Sequence, residues 1–295
     1  MTDTSDKATN PTKVADLLLT KAKSTNNSIA SDLSIDETVL LVESGFEVAG
    51  LVTGVSYYHV GYTGIYSMSQ NMEIDQISKA LHAARNSAVY QLAAKGKSIG
   101  GVGVVGVKIE MSPSHRGLVE FSATGTAIRP VSKSDSKREI SANLASVLSH
   151  VSPSSFFTSD LSGKDFLLLA RAGYLPLGLV FGACVYHVGR QAFSKWISNQ
   201  QANVELEVYT AALYDARELA MSRMQADAEM LKADGVVGTT IKESSHTWGS
   251  HIIEFLAMGT AVRLVSNQHH LSNPSVTVPL DDPVVKTQPG SILGE

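Results

Sequence analysis

Histidine and arginine side chains recur at matching places in the two halves of this chain, and they are its best candidates for chemistry. His59 and His187 each stand in the sequence YHVG, 128 residues apart. Neutral imidazole is a common metal ligand, so a divalent metal held by these two histidines is one hypothesis. The alternative is a packed, hydrogen-bonded histidine, and we favour it because both residues lie in apolar, strand-like segments.

The other histidines and the cysteine do not complete a metal site. Thiolate sites need several cysteines, and the chain has one, Cys184, whose counterpart in the first half is Ser56. We expect Cys184 to be a small buried residue. Five further histidines, in the predicted turns and the tail, lack the spacing of a known ligand motif: His115, His246, His251, His269 and His270. No cofactor is firmly implied, and a divalent metal is the one group that these side chains could hold.

Two pairs of arginines also repeat, the first pair in a predicted helix and the second in a predicted strand. They are Arg85 with Arg217, and Arg129 with Arg263. An arginine in such a place ordinarily pairs with a carboxylate, and Glu120 or Glu254 could supply it. The alternative is a site for an anion or an acidic partner.

The sequence argues against catalysis. No Ser, His and Asp stand in a recognisable context such as a nucleophile elbow. The glycines of residues 100–106 follow a helix and enter a strand, which is the reverse of the order in a phosphate-binding loop. We therefore predict that the protein is not an enzyme. An enzyme with a site between the two units is a weaker alternative that only Arg85 and Arg217 motivate.

An internal duplication must position these side chains. The segment FEVAGLVTGVSYYHVG (46–61) returns as YLPLGLVFGACVYHVG (174–189), and EFSATGTAIRPV (120–131) returns as EFLAMGTAVRLV (254–265). Self-similarity on this scale indicates two copies of one structural unit. We predict units at 32–130 and 160–264, joined by a linker at 131–159 that contains a short helix. A mobile segment (1–31) precedes them and a Pro-containing, extended tail (265–295) follows.

Each unit is predicted to be α+β, with the order β-β-α-β-β and a long helix packed on a mainly antiparallel sheet. The apolar runs Thr38–Gly45 and Phe166–Gly173 are predicted as the opening strands. Apolar residues at helical spacing from Ile74 to Leu92 and from Leu206 to Ala220 predict the long helices. The second helix is expected to stop by Gly235, and a hairpin closes each unit.

Three glycines recur in the second strand of each unit: Gly50, Gly54 and Gly61 in the first, and Gly178, Gly182 and Gly189 in the second. Glycine at fixed strand positions marks a bulge or the close approach of another backbone. We predict a structural role for them. A ligand that touches the backbone there is the alternative.

Composition excludes several classes of partner. The net charge of −4 offers no general attraction to nucleic acid or anionic lipid, and aromatic residues at 6% are too few for base-stacking surfaces. The long uncharged stretch around Pro176 is rejected as a membrane span because of its proline and glycines. No signal peptide is recognisable. We expect a cytoplasmic protein without nucleic-acid or membrane contacts.

The order of the short motifs resembles that of the bacterial YbjQ-like family. These motifs are LVTG, then AARNSA or DARELA, then GVVG, then GTAIR or GTAVR. The resemblance covers both units, about two thirds of the chain, and the family's domain is described as heavy-metal-binding. It implies an α+β domain that assembles into closed, often five-fold rings and has no established reaction. A tandem chain would then form either stacked rings or one ring of alternating units.

Self-association also follows from the predicted unit itself. One helix covers only part of a sheet, so faces and edges remain that a neighbouring copy can cover. We therefore predict a non-enzymatic, ring-forming scaffold or binding protein, with a protein partner recruited by the terminal segments. A metal-binding or metal-responsive protein that uses the repeated histidines is the alternative.

Overall fold

The structure, a computed structural model, describes residues 30–59, 71–113, 118–131, 146–147, 149–188, 207–245 and 252–266. Gly61, Gly189 and the histidines at 115, 246, 251, 269 and 270 lie outside these residues. So do the predicted terminal segments, apart from 30–31 and 265–266, and most of the linker.

Both units combine one long helix with a four-stranded sheet. Unit one contains α1 (Ile35–Glu43), β1 (Phe46–His59), β2 (Met72–Glu73), α2 (Asp75–Ser98), β3 (Gly103–Pro113) and β4 (Leu118–Pro130). Unit two contains β5 (Phe157–Thr158), α3 (Gly163–Arg171), β6 (Tyr174–His187), α4 (Glu207–Met230), β7 (Gly235–Ser245) and β8 (Ile252–Leu264). The predicted α+β class and the β-β-α-β-β order are confirmed, but the short strands β2 and β5, and not the predicted opening segments, complete that order.

The two predicted opening strands are wrong, because both segments are helices. Ser34 caps α1 in a capping box with Glu37, and Ser162 caps α3 by accepting a hydrogen bond from the Asp165 amide. These caps satisfy amide groups that a helix start leaves without partners. The glycine after each helix has a positive φ, 81° at Gly45 and 85° at Gly173, so it reverses the chain into the next strand. Each apolar run therefore forms a short helix that buries only part of its apolar residues, with Leu41 buried in α1 and Phe166 in α3, while Val39 and Leu168 stay exposed.

The short strands are exchanged between the units. The sheet orders are β1-β4-β3-β5 and β2-β6-β8-β7, so β2 of unit one pairs with β6 of unit two and β5 of unit two pairs with β3 of unit one. Only the β3–β5 pair is parallel among these ladders. The exchange covers one edge in each sheet and ties the units together.

Helix α2 is buried between the two sheets. Its small residues Ala84 and Ala88 face the sheet of unit one, and the same apolar cluster includes Phe181 and Val185 from the sheet of unit two. Helix α4 packs on the opposite face of that second sheet, where Ala216 and its neighbours form a separate cluster. The layers therefore run sheet, helix, sheet, helix. The outer face of the first sheet and the outer face of α4 end the stack.

The repeated glycines let each long helix approach its sheet. A Cβ atom on Gly54 would lie 2.0 Å from the Ala88 carbonyl oxygen, and one on Gly182 would lie 1.8 Å from the Ala220 carbonyl oxygen. Gly50 has φ of 150° and follows the break in register between β1 and β4. The equivalent break in β6 precedes Gly178. Close approach and a bulge, the two structural roles that the sequence suggests, thus occur at different glycines.

Two further details concern the ends of elements. Helix α4 ends at Met230, and Lys232, with φ of 55°, takes the left-handed conformation before the chain enters β7 at Gly235. The helix thus ends before Gly235, as the sequence predicts. At the end of the linker, the Val151 amide donates to the Val147 carbonyl at 3.1 Å, a helical spacing, and both side chains are buried.

No helix among the described residues is long and apolar enough to cross a membrane.

We expect Gly54→Ala or Gly182→Ala to lower the free energy of unfolding by about 3 kcal/mol or more, because the added methyl overlaps helix backbone that cannot move away. Gly235→Ala is the control, since nothing lies within 4 Å of its added Cβ. Urea unfolding at one fixed protein concentration measures the three variants. Equal stability of all three would contradict this account of the helix–sheet contact.

Candidate functional site

An ion pair buried between the two units is the centre of the candidate site. Arg85 of helix α2 donates from Nη2 to the Glu254 carboxylate of strand β8, and each side chain is 2% exposed. The Arg85 guanidinium also lies 4.9 Å from the centre of the Phe121 ring in its own unit. One guanidinium thus contacts a ring of unit one and a carboxylate of unit two.

The buried pair is incompletely hydrogen-bonded by the described residues. Nε and Nη1 of Arg85 and Oε2 of Glu254 have no partner among them. A cavity of about 420 Å³ adjoins the pair, and Glu110, Lys242 and Ser244 contribute to its lining. A cavity of this size and polarity has room for water or a small polar molecule beside the buried pair. The site can therefore hold a small polar molecule. None of these lining residues forms a nucleophile–base pair that would suggest a reaction.

Two more charged contacts cross the same junction. Arg223 of α4 donates to both Glu73 carboxylate oxygens, at 2.5 and 2.9 Å, and to the Ala183 carbonyl at 2.7 Å. His82 Nε2 lies 3.8 Å from Asp227 Oδ2. Burial raises the pKa of the Asp227 carboxyl, and nearby His82 partly opposes that change. His82, Arg223 and Asp227 line a second cavity of about 260 Å³.

The repeated arginines have different partners. Arg217, the equivalent of Arg85, lies 5.4 Å from the Phe255 ring centre but has no carboxylate partner among the described residues. Arg129 pairs with Glu47 at 2.5 Å on the surface, and Arg263 donates to the Leu231 and Lys232 carbonyls at the end of α4. Of the four arginines, the structure brings only Arg85 into the junction.

The repeated histidines lie in separate sheets and in different surroundings. His59, at the end of β1, is exposed, whereas His187, at the end of β6, is 3% exposed and pairs in the ladders with Met72 and Ile252. Within the described residues, no three His, Cys, Asp or Glu side chains are grouped closely enough to hold a metal ion. Metal binding through His59 and His187 stays a prediction.

Cys184 is buried among apolar residues facing α4. Burial raises the pKa of its thiol to about 12, and the nearby Glu73 carboxylate adds to the rise. Because the thiolate is the reactive form, a thiol with this pKa is nearly inert near neutral pH.

Sequence reasoning missed the residues whose partners lie in the other unit. His82, Arg223 and Asp227 are not repeated in the other copy, so the duplication does not point to them, whereas Glu73 recurs as Glu205 without any signal for its partner. The one available signal was their mixture of charges on otherwise apolar helix faces, which is typical of a helix buried on both sides.

Residues 46–130 and 175–265 match YbjQ_1, a family described as "Putative heavy-metal-binding". The matched ranges cover more than half of the chain and fall one in each unit. The chain belongs to the YbjQ_1 family. The predicted resemblance is confirmed, and the family description assigns no residue of this chain to a metal.

Two kinds of relative are similar to this chain. The "Encapsulin nanocompartment protein Rv1762c" of Mycobacterium tuberculosis is 38% identical over 256 residues, which are 86% of this chain and 92% of that protein. A "UPF0145 protein" of Thermotoga maritima is 41% identical over 90 residues, which are 30% of this chain and 81% of that protein. A "UPF0145 protein" of Archaeoglobus fulgidus is 42% identical over 90 residues, 30% of this chain and 80% of that protein. The first relative matches the tandem arrangement, whereas the other two match a stretch about as long as one unit.

We expect Arg85→Met to lower the free energy of unfolding by about 3–5 kcal/mol, because it leaves the Glu254 carboxylate buried without a cation. The double variant Arg85→Met/Glu254→Leu should recover most of that loss, since both charges are then removed. Arg129→Met, whose surface pair is 44% and 42% exposed, should cost less than about 1 kcal/mol. Urea unfolding measures all three. A double variant as unstable as Arg85→Met would show that packing, and not charge, controls the junction.

We expect Cys184 to resist a thiol-specific disulfide reagent at pH 8 in the native protein and to react with one equivalent in urea. The buried, protonated thiol offers almost no thiolate until the chain unfolds. The absorbance of the released thiolate follows both reactions. Rapid modification of the native protein would contradict the burial of this side chain.

Proposed function

We propose that this protein is a non-enzymatic scaffold of the cytoplasm whose copies associate head to tail into a closed ring. One observation carries the proposal: the contact between the two units is made by different surfaces, a helix face of unit one and a sheet face of unit two. Such a heterologous contact can repeat from copy to copy, and it closes into a ring when the rotation allows.

The ends of the layered stack support this proposal. The outer face of α4 and the outer face of the first sheet are the equivalents of the two surfaces that meet inside the chain, and within the described residues nothing covers them. Both carry exposed apolar side chains, with Tyr214 58% exposed on α4 and Tyr57 62% exposed on β1. Exposed aromatic side chains on matching surfaces favour association of copies.

The comparisons add support of a different kind. A relative similar along most of this chain is called a nanocompartment protein, a name that describes an assembled shell. The family resemblance implies rings that are often five-fold, and each copy of this chain would supply two units to such a ring. We favour one ring of alternating units over stacked rings, because the internal contact already places unit two beside unit one in the same layered stack.

The metal-binding and enzymatic alternatives have weaker support. Within the described residues, no grouping of ligands favours a metal. The cavity beside Arg85 favours the binding of a small polar molecule more than its conversion. A partner recruited by the terminal segments stays part of the proposal, and those segments lie outside the described residues.

We expect the purified 295-residue chain to elute as a discrete species of several copies, with a mass by light scattering that is a multiple of 31.4 kDa. Negative-stain electron microscopy should show rings, and the images give the number of copies directly. A monomer at micromolar concentration, or filaments of variable length, would overturn the ring proposal.

A further inference from the structure

We propose that copies join by repeating, residue for residue, the contact that joins the two units inside one chain. Helix α4 of one copy would lie on the outer face of the first sheet of the next copy, with Arg217 bound to Glu120 of the next copy. This inference rests on the proposed self-assembly and names its interface.

The environment of Arg85 is the template for that of Arg217. Arg85 packs on Phe121 within its own unit and binds Glu254 across the junction. The duplication relates Arg85 to Arg217 and Phe121 to Phe255, and Arg217 does pack on Phe255. The contact within the unit is therefore repeated, whereas the contact across the junction has no counterpart at α4 among the described residues.

A carboxylate that could pair with Arg217 of another copy lies at the opposite end of the stack. The duplication relates Glu254 to Glu120, which lies on strand β4 opposite Tyr57 of β1. Glu120 has no cationic partner among the described residues, and its hydrogen bond with the Tyr57 hydroxyl raises the pKa of Tyr57. Alternation along β4 places Phe121 toward α2 and Glu120 on the outer face of the sheet, where an incoming arginine can reach it.

A second contact inside the chain has its equivalents at the same two ends. The backbone of Ser159 bonds with the edge of β3: its amide donates to the Val104 carbonyl and its carbonyl accepts from the Val107 amide, both at 2.9 Å. The Ser159 hydroxyl is meanwhile held 3.0 Å from Thr260 Oγ1 in its own unit.

The equivalent of Ser159 in unit one is Ser31, and its hydroxyl lies 3.3 Å from Thr126 Oγ1 in the same way. The equivalent edge, strand β7, pairs only with β8 as far as the structure describes the chain, and Ile241 on it is 41% exposed. The Ser31 backbone is therefore positioned to add to β7 of another copy. Both contacts join unit two of one copy to unit one of the next, so they require the same head-to-tail arrangement.

The composition of the outer face fits a contact between separately folded copies. Phe181, which is buried against α2, has Thr53 as its equivalent on the outer face, and Met258 has Thr124. The outer face is thus more polar than the face buried within the chain. Interfaces between proteins that fold first and then associate are about as polar as ordinary surface, whereas permanent cores are more apolar.

Charge reversal tests the proposed pair. Arg217→Glu and Glu120→Arg should each raise the dissociation constant between copies by about 30-fold or more, because each places like charges together at the interface. The double variant Arg217→Glu/Glu120→Arg should restore assembly with the charges exchanged. Glu218→Arg is the matched control on the same helix, since its equivalent Asn86 stays exposed beside unit two, and it should assemble normally.

Analytical ultracentrifugation over a concentration series measures association, and circular dichroism verifies that each variant is folded. Loss of assembly in both single variants with recovery in the double variant supports the interface. Single variants that assemble like the unmodified protein, or a double variant that stays dissociated, overturn the interface while leaving self-assembly intact. An unmodified protein that is monomeric in the same experiment overturns the proposed function itself.

Discussion

The burial of helix α2 on both sides is the constraint on which the rest of the structure depends. A helix that packs on one sheet needs a single apolar face, but α2 must satisfy two sheets at once. Its small residues meet the backbone of its own sheet at Gly54. On its other side Ser78 and Arg85 face unit two, where they bond with the Val185 amide and the Glu254 carboxylate. These two side chains are tolerated there because each has at least one hydrogen-bond partner in the opposing sheet.

The exchange of short strands covers part of the open strand edges that a small sheet leaves. Unit one lends β2 to the second sheet and receives β5 in the first, so each unit has one edge that its partner covers. Unpaired strand edges attract other chains, and proteins either cover them or use them. Among the described residues, β1 and β7 are the long strands that keep an open edge, one in each sheet. The same geometry that stabilises one chain therefore prepares both ends for another copy.

The duplication also shows how position, rather than residue type, determines the role of a side chain. His187 is covered by the neighbouring unit and His59 is exposed, although both end equivalent strands in the same four-residue motif. Arg85 and Arg217 share an aromatic contact but not a carboxylate. The difference in each pair comes from the presence or absence of a neighbouring unit. Repeat proteins behave in this way because each repeat completes its surroundings with residues of the next.

The sequence by itself determined the two units, their α+β class, the long helices and the closing hairpins, because each of these follows from local periodicity or from self-similarity. It misled us at α1 and α3, where apolar runs suggested strands and the caps at Ser34 and Ser162 were the better signal. Only the tertiary structure decided which unit each short strand joins and which carboxylate Arg85 meets. Arg85 and Glu254 are 169 residues apart, and no local pattern encodes a contact that arises when one sheet closes over the helix of another unit.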